Sequence, residues 1–385
     1  MRTDPGNSTA RSPSSPQPPK LREARFEDYS QIAALVSKFQ LQMEDYAGWK
    51  HLWDNNPAYR EIADTFPMGW VLESGNGLIC GYLGNIPLRY ELEGKRLLAA
   101  TTRSWVVDQP YRAYSPLLLG TYFRQPRIDL FMNTSINSQA AAAYSIFGGV
   151  KVPVGAWDRA CFWITNPRGF SESLLRKKGW KLSAALSYPL SLGLFFRRGV
   201  RKTRFHQGAD NFDVRASASF DSRFDDFWQE FRGTNSHRLL AVRSAEVLEW
   251  HFRFPLNSGA AWIYTVERDS KIRAYGVFLR QDSPELRLSR VRLVDFQCLD
   301  EQDAPPIFSC MLRTALDRCR RDSIDMLEAI GVSGELEKEV ERSGPERRQL
   351  LNWMYCYKAS TPALAEKLKD RDRWQPSLYD GDSSL

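Results

Sequence analysis

Apolar positions along the first third of the chain follow first a helical period and then a strand period. From Glu27 to Phe39 they recur at helical spacing, which predicts an amphipathic helix packed on one face. Three apolar runs follow, separated by Asn-Gly and Glu-Gly pairs that are typical of hairpin turns: Gly69–Glu73, Leu78–Leu92 and Arg96–Val107. We therefore expect an antiparallel meander after the first helices.

The period changes again beyond this meander. The pattern predicts helix, strand, helix and strand in turn, over Leu117–Arg124, Ile128–Asn133, Ser138–Phe147 and Val150–Val154. A meander followed by such an alternation is typical of the α+β class.

The second half of the chain repeats this order without obvious sequence identity. Two helices over Phe224–Phe231 and Ser244–Phe252 precede a hairpin, and the elements after it are a long strand, a helix and a strand: Leu286–Leu299, Pro306–Arg321 and Ile324–Ile330. A chain of 385 residues exceeds one ordinary core. We predict two α+β lobes, each with a mixed, mostly antiparallel, twisted sheet flanked by helices.

Composition places the boundaries of these lobes. The first 20 residues are rich in Pro and Ser and predict a disordered tail. We then expect an N-terminal lobe over 21–192, a basic linker over 193–211, a C-terminal lobe over 212–358, and a docked or loose tail over 359–385.

The overall composition, with 43% hydrophobic and 26% charged residues, is that of a globular protein. Neither an apolar signal region nor a run of about 18 apolar residues occurs. The six cysteines are scattered without a CxxC pair, and the four histidines add no ligand spacing. These features predict a cytoplasmic protein with reduced thiols and no metal site.

The net charge of +7 favours acidic partners only weakly. Clustered cations over 197–204 follow an apolar stretch and allow two interpretations, a peripheral membrane contact or a solvated linker after a buried strand. Aromatic and basic residues also interleave over Trp250–Phe254. Because no compact basic face or RNA-binding signature accompanies them, we expect no nucleic-acid partner.

Two neighbouring segments carry the candidate chemistry. Asn137–Gly149 reads NSQAAAAYSIFGG and fits the pattern N-x-x-A-x-x-x-Y-x-x-x-G, and Trp105–Leu119 reads as a strand turning into a helix. Both segments resemble the core of the GNAT (Gcn5-related N-acetyltransferase) superfamily, over roughly residues 21–155. The resemblance implies a twisted mixed sheet with helices on both faces and an acyl-CoA donor, acetyl-CoA or another.

The turn from strand to helix has a physical purpose of its own. Backbone N–H groups and the positive end of a helix converge there, where a pyrophosphate can bind, and Arg112 adds a cation. Within the superfamily's phosphate-loop pattern, Ser115 and Leu117 replace two small residues. The resemblance implies donor contacts at Val106, Val107, Arg112, Ala113, Ser115 and Asn137.

Tyr144 matches the position at which the superfamily often places a tyrosine that protonates the departing thiolate. A phenol with a pKa near 10 suits that role; the alternative is an aromatic side chain on a buried helix face. No carboxylate precedes the elbow to act as a base. Arg103 lies there instead, and either contacts an anionic substrate group or pairs with a structural carboxylate.

The second lobe contributes Asp295, on its long strand. If the side chains alternate regularly, Asp295 shares a face with Val291 and Leu293, and burial would raise its pKa. It is either a substrate contact or the partner of an arginine. The following segment, 299–306, has no basic or glycine-rich elbow, so we expect no CoA phosphates there.

These features predict an acyltransferase that moves an acyl group from acyl-CoA to an amine or hydroxyl of a small-molecule, saccharide or peptide acceptor. Two alternatives stay open. One is a non-catalytic binding or scaffold protein with degenerate lobes. The other is a Fem-type transferase with an aminoacyl-tRNA donor, a class that shares the two-lobed arrangement.

Overall fold

The computed structural model describes residues 17–179 and 204–385. The predicted tail up to residue 16 and nearly all of the basic segment 197–204 lie outside these ranges. Within them the strands are β1 Lys20–Glu23, β2 Gly69–Glu73, β3 Ile79–Leu92, β4 Lys95–Val107, β5 Leu130–Ile136, β6 Val150–Lys151, β7 Arg159–Ile164, β8 Val214–Ser217, β9 Leu240–Ala241, β10 Ala261–Arg268, β11 Lys271–Arg280, β12 Arg290–Cys298, β13 Met326–Ile330, β14 Glu346–Gln349 and β15 Met354–Ala359.

The helices over the same ranges are α1 Tyr29–Lys38, α2 Tyr46–Asp54, α3 Pro57–Arg60, α4 Ser115–Phe123, α5 Ser138–Ile146, α6 Pro167–Lys177, α7 Ser222–Thr234, α8 Ala245–Asn257, α9 Ala304–Arg321, α10 Glu335–Arg342 and α11 Pro362–Lys367. Five of them, α1, α4, α5, α7 and α9, begin and end within a few residues of their predicted bounds, and α8 extends five residues beyond its predicted end. Capping residues explain several of these bounds, since Asn56, Asn137, Asn166, Asp221 and Thr361 each accept a hydrogen bond from the first turn that follows.

Contacts divide the chain into two compact units. Among the described residues, the first comprises 17–50, Ala63–Ile86 and Thr102–Gln125, and the second comprises His51–Ile62, Pro87–Thr101, 126–179 and 204–385. In the first unit β1 pairs with β2, and β2 with the first half of β3, all antiparallel. Gly69 opens β2 at a φ of +150°, where a Cβ atom would lie 2.4 Å from the Leu83 carbonyl oxygen.

In the second unit, one group of strands is built around a short parallel pairing. Ala99–Thr101 of β4 pair with Leu130–Met132 of β5. β15 then pairs antiparallel with β5 on one side and with β6 on the other, and β9 pairs with the end of β3. β15 comes from the predicted C-terminal lobe and therefore completes a sheet that begins in the predicted N-terminal one.

The other sheet of the second unit has the strand order β14-β7-β13-β12-β11-β10-β8. Its only parallel pairing among the described strands joins β12 to β13. β7, from the predicted N-terminal lobe, pairs with β13 and β14. The predicted fold class, two mixed and mostly antiparallel sheets flanked by helices, is confirmed, while the predicted lobe boundaries remain predictions.

Two apolar clusters form the core of the second unit. One contains the aromatic face of α7, whose Phe224 and Phe227 rings contact Tyr275 of β11. The other lies under α9, where ten of eighteen residues are buried. The segment 359–385 contributes Leu368, Trp374, Leu378 and Tyr379 to the first cluster, so it is docked rather than loose.

Candidate functional site

The elbow after β4 lies in the first unit and is a tight turn. A 3-10 helix over Gln109–Tyr114 leads directly into α4. Its backbone is partly hydrogen-bonded to itself, because the Tyr111 N–H donates to the Asp108 carbonyl and the Ser115 N–H to that of Arg112. The cap position of α4 is Tyr114, which makes no side-chain capping bond.

The side chains of the predicted donor contacts differ in exposure. Arg112 and Ala113 are exposed, Ser115 is half-buried, and Val106 and Val107 are buried in β4. Arg112 forms no ion pair with any residue in the described ranges. Its charge is available to an anion in solvent, and the donor contacts at these positions remain predictions.

Arg103 pairs with the carboxylate of Glu44, a residue of the same unit. The sequence allowed two roles for Arg103, a structural ion pair and a substrate contact. The structure shows the ion pair, and the substrate contact remains a prediction. The next residue, Ser104, has a φ of +54°. Because this left-handed conformation is an irregularity within β4, regular alternation of side chains does not hold across residues 103–105.

The helix α5, in the second unit, shows what most of the N-x-x-A-x-x-x-Y-x-x-x-G pattern encodes. The Asn137 side-chain oxygen accepts a hydrogen bond of 2.8 Å from the Ala140 N–H and thereby caps the helix. Gly148, at a φ of +84°, ends the helix, and the Gly149 N–H donates to the Tyr144 carbonyl. Tyr144 is only 1% exposed and is the one buried residue of α5. Its catalytic role and a donor contact at Asn137 remain predictions.

Asp295 belongs to a buried ion network in the second unit. β12 carries a bulge at Val294, since Asp295 pairs with Val277 and Leu293 with Phe278. The extra residue shifts the alternation, so Asp295 lies on the side of Val294 rather than that of Leu293. The face predicted for Asp295 was therefore wrong, because regular alternation takes no account of a bulge.

Five hydrogen bonds reach the Asp295 carboxylate. Arg243 donates two, at 2.8 and 3.1 Å, and one each comes from Tyr275, Gln297 and Ser377. Burial opposes ionisation, but the Arg243 charge and these hydrogen bonds outweigh it and lower the pKa of Asp295. The predicted rise of this pKa was wrong because the arginine comes from a segment 52 residues away.

Arg243 also binds a second carboxylate. Its guanidinium lies 2.9 Å from Asp380 and over the ring of Tyr379, and its side chain is 2% exposed. Burial and the neighbouring Asp295 charge raise the pKa of Asp380 to about 6, although Arg243 opposes the shift. Sequence reasoning missed Arg243 and Asp380, because neither belongs to a motif.

A cavity of about 650 Å³ lies beside this network, within the second unit. The parallel pairing of β12 with β13 ends at Leu293 and Ala329, and the cavity is lined by Leu293–Cys298 and by residues 332–336, which follow β13. The N-terminus of α9 and the segment 371–378 add further lining, together with residues 231–238 and Glu301. Asp295, Gln297 and Ser377 form its polar floor, and its volume is that of a small-molecule site.

Two further properties concern the whole described chain. No group of three or more His, Cys, Asp or Glu side chains in residues 17–179 and 204–385 is arranged to hold a metal ion. None of the helices in these ranges combines the length and apolar character needed to cross a membrane.

The sequence matches no family model and no curated protein. Solved structures match it by fold. A GCN5-related N-acetyltransferase from Anabaena variabilis gives a TM-score of 0.51 at 12% identity, covering 89% of this chain and 73% of its own. Saccharomyces cerevisiae N-myristoyltransferase, solved with bound myristoyl-CoA, gives 0.53 at 13% identity, with 89% and 80% covered. A probable N-acyltransferase from Enterococcus faecalis gives 0.53 at 8% identity, with 88% and 72% covered.

These similarities define the class of fold. The chain has a GNAT-like fold built on two mixed sheets, as the segments 105–119 and 137–149 predicted. At sequence identities of 8% to 13%, these comparisons show similarity of fold alone.

Proposed function

We propose that the protein is an acyltransferase that moves an acyl group from acyl-CoA to an amine or hydroxyl of an acceptor. The observation that carries the proposal is the extent of the fold match. It covers 92% of this chain and 83% of a Saccharomyces cerevisiae N-myristoyltransferase solved with bound myristoyl-CoA and inhibitors. A small molecule, a saccharide and a peptide are the acceptor classes proposed.

The elbow in the first unit would bind the donor's phosphates. Exposed Arg112 supplies a positive charge, and α4 begins three residues later with its N-terminus at Ser115. Charge-assisted hydrogen bonds from a guanidinium to phosphate are among the stronger polar contacts in proteins. The backbone at Val106, Val107 and Ala113 would contact the parts of the acyl-CoA donor other than its phosphates.

Tyr144 would act as the general acid. The acceptor nitrogen or oxygen attacks the thioester carbonyl carbon, forms the new C–N or C–O bond, and the C–S bond breaks. The departing thiolate takes the phenolic proton, the acceptor's own proton leaves to solvent, and the Tyr144 phenolate regains a proton from solvent before the next turnover. A phenol and a thiol have similar acidity, so this transfer needs little driving force.

A second candidate function, binding without catalysis, is favoured by the elbow itself. Leu117 is exposed at the start of α4, where the superfamily pattern has a small residue, and two of the elbow's N–H groups already bond within the turn. A measurement of acyl-CoA binding tests which of the two candidate functions the elbow supports.

Calorimetry with acetyl-CoA and myristoyl-CoA tests the proposal. We expect saturable binding, and Arg112→Ala should weaken it about tenfold, because a charged hydrogen bond of 1.5–3 kcal/mol is lost. Arg124→Ala, at the other end of α4, is the matched control and should bind normally. Failure of both thioesters to bind at about 1 mM would exclude the acyl-CoA transferase.

Turnover tests the role of Tyr144 separately. Tyr144→Phe keeps the buried ring and removes the proton, so we expect turnover to fall at least about tenfold with unchanged donor affinity. Tyr46→Phe, at an exposed tyrosine of α2, is the control. Unchanged turnover in Tyr144→Phe would assign that side chain to packing alone.

A further inference from the structure

The floor of the cavity contains a buried hydrogen-bond acceptor that nothing in the described chain satisfies. Gln297 lines the cavity and is 3% exposed. Its amide N–H donates to Asp295 at 2.9 Å, whereas its Oε1 has no hydrogen-bond partner among residues 17–179 and 204–385. A buried acceptor left unpaired is unfavourable, so a ligand that donates a hydrogen bond there would gain affinity.

The charges behind this floor favour a cation. Two buried carboxylates, Asp295 and Asp380, share the single guanidinium of Arg243, which leaves a formal surplus of one negative charge when both are ionised. The Arg243 donors are all directed at protein acceptors: Ala241, Asp295, Ser377 and Asp380. The negative surplus of the network therefore gives an incoming ammonium group a favourable potential.

One part of the cavity wall is apolar and aromatic, whereas the rest is polar and includes the Arg238–Glu301 ion pair. Phe296 and Phe308 meet edge to face with ring centroids 5.1 Å apart, and Leu293, Leu336 and Trp374 line the space around them. Such walls suit the apolar body of a ligand whose polar end reaches the floor.

We infer that this cavity is a binding site for an amine-bearing ligand with an apolar body, whose ammonium group donates a hydrogen bond to Gln297 Oε1. The site lies wholly in the second unit and does not require acyl transfer. It differs from the elbow in chemistry, because its floor recognises a cation and the elbow an anion.

Three primary amines serve as probes: tryptamine, 4-phenylbutylamine and octylamine. Indole-3-propionate matches tryptamine in its ring and carries the opposite charge. By calorimetry and ligand-observed NMR, we expect at least one amine to bind saturably at about 1 mM or below, and the carboxylate to bind at least about tenfold more weakly. The binding should weaken about tenfold in Gln297→Met, which keeps the side chain's shape and removes the acceptor.

Gln349→Met, at an exposed glutamine of β14, is the matched control and should bind like the native protein. Ala304→Phe places a ring at the cavity wall from the first residue of α9 and should abolish binding without touching Gln297. It keeps the test valid if Gln297→Met does not fold. No saturable binding of any of the three amines, equal binding of the carboxylate, or amine binding that survives Ala304→Phe would overturn the inference.

Discussion

Arg243 is the residue on which the buried network depends. It is the only described partner that neutralises both Asp295 and Asp380, and all three side chains are buried. Arg243→Met would leave two carboxylates desolvated and without a cation. We therefore expect the free energy of unfolding at neutral pH, measured by urea titration, to fall by about 3–5 kcal/mol.

Arg313→Met is the control for this change. Arg313 pairs with Asp210, whose side chain is largely exposed, so the loss should stay below about 1 kcal/mol. Similar losses in the two variants would show that the Arg243 network contributes no more than a surface ion pair.

Asp380 predicts a specific dependence of stability on pH. Its pKa in the folded protein is about 6, above the 3.8 of an ordinary aspartate. The folded state therefore holds a proton that the unfolded state has lost, and this contribution to stability disappears as the pH rises from about 4 to 6. Asp295 titrates below that window because its pKa is lowered, and Arg243 stays charged throughout.

Asp380→Asn removes this titration. Between about pH 4.5 and 6.5 the variant should gain about 2 kcal/mol of unfolding free energy relative to the native protein, measured by urea titration at both pH values. Parallel pH profiles for the two proteins would contradict the raised pKa of Asp380.

At the scale of elements, the sequence pattern of α5 is explained mainly by the structure of the helix rather than by a binding site. Its Asn, Ala and Gly positions are explained by a cap at the start and a left-handed glycine at the end. Asn137→Ala should therefore destabilise the protein by about 1 kcal/mol. Asn137→Asp keeps the capping oxygen, so we expect native stability, while the acyl-CoA affinity of this variant tests the predicted donor contact.

Calorimetry and urea titration on the Asn137 variants check both parts. A loss of stability in Asn137→Asp equal to that in Asn137→Ala would contradict capping. Native stability with donor affinity lowered more than about tenfold would instead give Asn137 a contact with the donor.

Element positions were predictable because they follow local signals. β2 has its predicted bounds, and α5 differs by one residue, since turns and caps are encoded within a few positions. The face of Asp295 was not predictable, because one extra residue at Val294 reverses the alternation and no turn residue marks it. Local periodicity thus places elements well and fails where a strand departs from regular pairing.

At the scale of the whole molecule, the buried network and the cavity were beyond sequence reasoning. Arg243 meets Asp295 across 52 positions and Asp380 across 137 positions. None of these residues is distinguished by composition or spacing, so only the tertiary fold brings them together. The resemblance at 137–149 predicted a fold, whereas the best-defined polar constellation of the second unit lies on other residues.

The segment 359–385 shows how far such long-range packing extends. Trp374 is 8% exposed, its indole N–H donates to the Leu368 carbonyl at 2.9 Å, and its ring lies 5.0 and 5.9 Å from those of Tyr357 and Tyr355 on β15. Because Trp374→Ala would empty this volume, the free energy of unfolding should fall by about 3–5 kcal/mol in urea titration. Leu364→Ala, at a half-buried residue of α11, should cost only about 1 kcal/mol. Equal, small losses would mean that this segment is not part of the core in solution.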